Sequence, residues 1–125
     1  MKKIILLFFA IAAFGFTSVD ATVENIKKLR NQNITIVDIR TPPEWEATGV
    51  IPGALRDTFF LRDGSINRDF LQTLKKNGVK KFAIICRTGH RSAVAAEILE
   101  KNGIEVINLK GGMFRLMKDM LKREF

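Results

Sequence analysis

The sequence has one cysteine, one histidine and three prolines in 125 residues. A lone cysteine, Cys86, excludes an internal disulfide and excludes dithiol exchange of the C-x-x-C kind within one chain. One cysteine with one histidine falls short of the roughly four ligands of a zinc site, so no metal and no cofactor is expected. A cysteine protease is excluded on similar grounds. His90 lies four residues from Cys86 in the same loop, and no other histidine exists to act as a base held from a distant part of the chain. Repeats, low-complexity tracts and long runs of one charge are also absent. The net charge is +8, but the basic residues are scattered between apolar positions and form no aromatic-interleaved stripe, so no nucleic-acid partner is expected.

With 46% hydrophobic and 27% charged residues, the composition is that of a folded globular protein, and the length suits one domain. The N-terminal segment stands apart. Lys2 and Lys3 precede thirteen uncharged, mostly apolar residues, Ile4 to Phe16, followed by "TSVDA". That pattern predicts a secretory leader at 1–21 and a domain at 22–125, with Val19 and Ala21 as the small residues before a cut after Ala21. The apolar run is shorter than the roughly 20 residues that span a bilayer, so stable membrane insertion is not expected; an uncleaved anchor is the competing reading. Cleavage would lower the charge from +8 to +7 by removing Lys2, Lys3 and Asp20. The product is expected to be exported, and periplasmic where the source has two membranes. In such a place an unpaired thiol signals a reactive group or an intermolecular bridge.

Hydrophobic spacing predicts alternating helices and strands. A short helix is expected over Thr22–Asn31, a buried strand in "ITIVDI" (34–39), a helical turn at "TPPEW" and a brief strand in "VIPGAL". A helix in "NRDFLQTLKKNG", a strand in "KKFAIIC", a helix in "SAVAAEILEKNG" and a strand in "IEVINL" follow. In the last helix Met113, Leu116, Met117, Met120 and Leu121 form an apolar stripe, beside Arg115, Lys118, Lys122 and Arg123. That stripe is expected to lie on the sheet rather than on a membrane surface. The alternation gives the fold class: α/β, with a mainly parallel central sheet flanked by helices on both faces.

Cys86 falls where a strand ends and a helix begins, the place where open parallel sheets put their ligand sites. Free N–H groups of a first helical turn, the helix dipole, and the charges of Arg87 and Arg91 all favour a thiolate there. The loop should therefore present a nucleophilic sulfur and hold an anion against it. Two chemistries fit: phosphoryl transfer through a cysteinyl phosphate and sulfur transfer through a persulfide. Phosphatases of the cysteine type use C-x5-R, whereas here four residues separate Cys86 from Arg91 and Ser92 follows. The smaller ring suits one extra sulfur atom.

With these residues, "VDIRTPPEWEATGVIPGA", "CRTGHRSAVAA" and "LKGGM" in order, the sequence resembles the rhodanese family, in particular its small single-domain exported members. The resemblance implies a thiosulfate sulfurtransferase. Cys86 would be the nucleophile and sulfur carrier, and the main chain of Arg87, Thr88, Gly89, His90 and Arg91 would cradle the persulfide. Arg87 and Arg91 are candidates for the donor's sulfonate, although either could instead pair with an acidic residue; His90 would shape the loop. Asp38 is expected to support the loop from a neighbouring strand by accepting its N–H bonds, and Arg40 to fix the following turn with Glu44. Arg56 is expected to be solvated. The implied partners are a small anionic sulfur donor and a thiol or cyanide acceptor, with the oligomeric state open. A non-enzymatic persulfide carrier serving a protein partner is the alternative. Val50 and Leu116 depart from the family pattern, which has histidine and tryptophan frequent at these places.

Overall fold

In chain order the elements are β1 (Thr17–Asp20), α1 (Val23–Asn31), β2 (Thr35–Asp38), α2 (Pro42–Thr48), β3 (Leu55–Arg56), α3 (Phe70–Lys76), β4 (Phe82–Ile85), α4 (His90–Lys101), β5 (Ile107–Lys110) and α5 (Gly112–Glu124). This is a computed structural model, and it describes residues 16–124. The five strands form one sheet in the order β1-β5-β4-β2-β3, with every pairing parallel. The fold is thus a single α/β domain, as the alternating pattern predicts.

Helices cover both faces because the inner strands are apolar on both sides. On one face Val37 and Ile84 pack with Phe70 and Leu74 of α3 and with Ala95, Ala96 and Leu99 of α4. On the other, Ile36, Ala83, Ile85 and Leu109 pack with Ile26 and Leu29 of α1 and with Met113 and Leu116 of α5. Alternation along β4 sends Ile84 to one face and Ala83 and Ile85 to the other, as a strand of period two requires. Cys86 then leaves the sheet at the end of this inner strand.

Two local expectations change. The strand sought in "VIPGAL" is confined to Leu55–Arg56, because Ile51–Ala54 close a turn in which the Ala54 N–H donates to the Ile51 carbonyl at 2.9 Å. The stripe of α5 is only partly seated: Met113 and Leu116 are buried, whereas Met117, Met120 and Leu121 are exposed. The sheet also extends into the segment read as leader. Residues 1–15 lie outside the described residues, but Thr17–Asp20 form β1 and pair along β5, so a cut after Ala21 would remove an edge strand.

Two buried acidic groups have opposite circumstances. Asp38 is 0% and Arg40 1% exposed, and the guanidinium meets the carboxylate at 2.8 to 3.1 Å through Nη2 and Nε. The remaining Arg40 donors reach Thr48 Oγ1 and the Gly49 carbonyl, each at 2.7 Å. Those bonds tie α2, which buries none of its residues, to the end of β2. Asp57, by contrast, has a buried Oδ2 without a partner among the described residues. Burial, then the nearby Asp69 charge, raises its pKa to about 7.

Replacing Arg40 by Met leaves a buried carboxylate uncompensated, and a loss of about 3–5 kcal/mol is expected in urea unfolding; a loss below about 1 kcal/mol would show that the pair does not anchor α2. For Asp57 the folded state binds its proton more tightly than the unfolded chain, so its effect is to lower stability as pH rises from about 4 to about 7. Asp57→Asn should flatten that part of the stability–pH curve and be the more stable protein at pH 8, by about 1–2 kcal/mol after screening.

Candidate active site

The loop Cys86–Gly89 runs from β4 into α4, which begins at His90. Gly89, at φ 97°, turns the chain through the left-handed region and serves as the helix N-cap. That turn aims two backbone donors at one sulfur: the Gly89 N–H at 3.1 Å and the Ser92 N–H at 3.3 Å from Cys86 Sγ. The Ser92 hydroxyl stands 3.4 Å from the same sulfur and donates to the Gly89 carbonyl at 3.3 Å. Cys86 is 1% exposed, at the floor of the loop. Donors of this kind are stronger partners for an anionic sulfur than for a neutral one.

The last helix holds this loop from below. Its Met113 and Phe114 N–H groups donate to the Cys86 and Arg87 carbonyls at 2.8 and 2.9 Å. The approach is so close that a Cβ on Gly112 would stand 2.6 Å from both carbonyl oxygens, and one on Gly89 would stand 2.7 Å from the Gly111 nitrogen. Gly89 and Gly112 are therefore packing requirements of the site.

The five loop residues divide sharply. Arg87, Thr88 and His90 are exposed, and with Arg91 and Phe114 they line an open concavity of about 430 Å³. Among the described residues Arg87 makes no ion pair, so its charge is free at the mouth. Arg91 is not free. Its Nη1 and Nη2 grip both Glu44 oxygens at 2.8 and 2.7 Å. These bonds hold the Glu44 carboxyl down to about 2 against the opposing effect of burial, and they push Arg91 up in turn.

Two expectations are corrected here. Glu44 pairs with Arg91 rather than with Arg40; only its backbone carbonyl faces Arg40, at a long 3.4 Å. Asp38 accepts bonds from Arg40, including its backbone N–H at 3.0 Å, and none from the cysteine loop. Arg56 is exposed, as expected, and lies over the Trp45 ring of α2, 5.8 Å from its centroid. Sequence reasoning also passed over Ser92 as a site residue. The available signal was a lone hydroxyl on the face of α4 that buries Ala95, Ala96 and Leu99.

Residues 22–119 match the family described as Rhodanese-like domain. The chain is 32% identical over 83 residues to the "Putative sulfurtransferase YtwF" of Bacillus subtilis (strain 168), covering 66% of this chain and 73% of that protein. It is similar to the solved Rhodanese-like Domain Protein from Staphylococcus aureus, with 30% identity and a TM-score of 0.56 over 80% of this chain and 90% of that one. Against reduced Bacillus anthracis CoADR-RHD the TM-score is 0.63 at 26% identity, covering 86% of this chain but only 17% of that longer one.

The Glu44–Arg91 bond gives a signed pH prediction. Its contribution is fully present above about pH 4.5 and is lost as the pH falls toward about 2. Glu44→Gln should therefore cost about 1 kcal/mol at pH 7, a figure reduced for partial exposure, and nothing near pH 2. Equal denaturation midpoints at pH 7 would refute the assignment.

Proposed function

The chain belongs to the rhodanese-like domain family, and from that membership we propose that it is a sulfurtransferase working through a persulfide on Cys86, with thiosulfate or a related anion as donor. The observation that carries the reading is the pair of N–H groups, of Gly89 and Ser92, aimed at one buried sulfur. The thiolate of Cys86 attacks the outer sulfur of thiosulfate; the S–S bond of the donor breaks and its electron pair leaves with sulfite. The Cys86 persulfide then gives its terminal sulfur to cyanide, forming thiocyanate, or to a thiolate, forming a new persulfide, and the Cys86 thiolate returns. The atoms close without a cofactor.

Residue roles follow from position. The loop backbone cradles the persulfide, Arg87 holds the sulfonate end of the donor, and Arg91 keeps the loop against α2 through Glu44. Thr88 and His90 shape the mouth. A carrier that discharges only to a protein is the second reading, favoured by Phe114, an aromatic ring 59% exposed beside the loop. The reading includes export by the N-terminal leader, to the periplasm where there are two membranes.

Incubation with thiosulfate should add one sulfur to the intact mass, and cyanide should remove it with release of thiocyanate. Cys86→Ser should take up none, and Arg87→Gln should raise KM for thiosulfate about tenfold, the loss of one charge-assisted contact. An equal adduct on Cys86→Ser would end the persulfide mechanism. An adduct that cyanide leaves in place, and that only a protein thiol removes, would select the carrier.

A further inference from the structure

The strand β1 belongs to the folded domain by every contact it makes. Thr17, Ser18, Val19 and Asp20 pair in register with Ile107, Asn108, Leu109 and Lys110. Ala21 is 0% exposed, and its N–H donates to the Lys110 carbonyl at 2.9 Å. The Asp20 carbonyl accepts from Asn25 Nδ2 at 2.9 Å, and its carboxylate meets Arg115 at 3.2 Å. Phe16 and Val19 pack against opposite faces of the sheet.

Losing this segment would bare the edge of β5 and place a new α-ammonium group on Thr22, the N-cap of α1, where the helix dipole repels positive charge. It would also open the site. Phe16 and Ser18 line a cleft of about 470 Å³ together with Thr88, Gly89 and His90 of the cysteine loop.

We infer that export processing cuts the Gly15–Phe16 bond, so that the mature protein begins at Phe16 and keeps β1 as one wall of the cleft beside Cys86. This rests on the export reading above and is independent of the chemistry at Cys86. Ala13 and Gly15 supply the two small residues before the cut, after Lys2, Lys3 and an apolar core from Ile4 to Ala12. The step is hydrolysis by a membrane-bound leader peptidase: the amide bond breaks, water adds OH to the Gly15 carbonyl and H to the Phe16 amine.

The test is expression of the full chain in an exporting two-membrane bacterium, with intact mass and N-terminal sequencing of the periplasmic product. Phe16 as first residue is expected. Thr22 as first residue, or an exported product that retains Met1, would overturn the proposal while leaving export standing; a chain found only in the cytoplasm would overturn both. Gly15→Trp, which puts a bulky residue at the cut without touching β1, should accumulate as uncut, membrane-retained precursor. Efficient release of a Thr22 product from that variant would also refute the assignment.

Discussion

The site depends on two hydrogen bonds, from the Met113 and Phe114 N–H groups to the Cys86 and Arg87 carbonyls. A helix start has donors with no partner inside the helix, and a strand that ends in a loop has acceptors with no partner in the sheet. Here each supplies what the other lacks. The solution needs the backbones to touch, which Gly112 at the helix start and Gly89 in the loop allow. The C-terminal helix thus belongs to the cysteine loop through its main chain, while its side chains serve the core and the surface.

Around that fixed floor, three arginines have three different tasks. Arg40 is sealed in the interior, neutralised by Asp38, and its remaining donors hold α2. Arg91 sits at the boundary and is taken up by Glu44, which also receives the Thr41 N–H and hydroxyl at the start of α2. Of the three, Arg87 keeps its charge at the mouth. The positive charge around the loop therefore comes from Arg87, from Lys110 in the adjoining cleft and from the oriented N–H groups of the loop, a local arrangement distinct from the overall +8 charge.

Much of this was legible in the sequence because the signals were short-range. The β-branched runs before Asp38 and Cys86 give the inner strands, and the cysteine–glycine–arginine spacing gives the loop. The choice of ion-pair partners was not legible: Glu44 lies four residues from Arg40 and 47 from Arg91, yet it bonds the distant one, since Asp38 already occupies Arg40 in the interior. The edge strand was also hidden. "TSVD" is four residues long, half exposed, and directly continues an apolar run with its own strong meaning, so only its pairing with β5 reveals it. Ser92 had a weak helical-face signal, and the role of Gly89 and Gly112 emerges only from contact between segments far apart in the chain.

The helix α2 is attached to the domain by the carbonyls it offers Arg40, by Thr48, and by one carboxylate, with no side chain of its own in the core. An element held in this way is uncoupled from the volume constraints that govern the interior. Pro42, Pro43, Glu46 and Ala47 face solvent along one rim of the molecule. Their identities can drift while the anchoring acceptors stay in place, which makes this rim the part of the scaffold best suited to acquire new recognition without a change in fold.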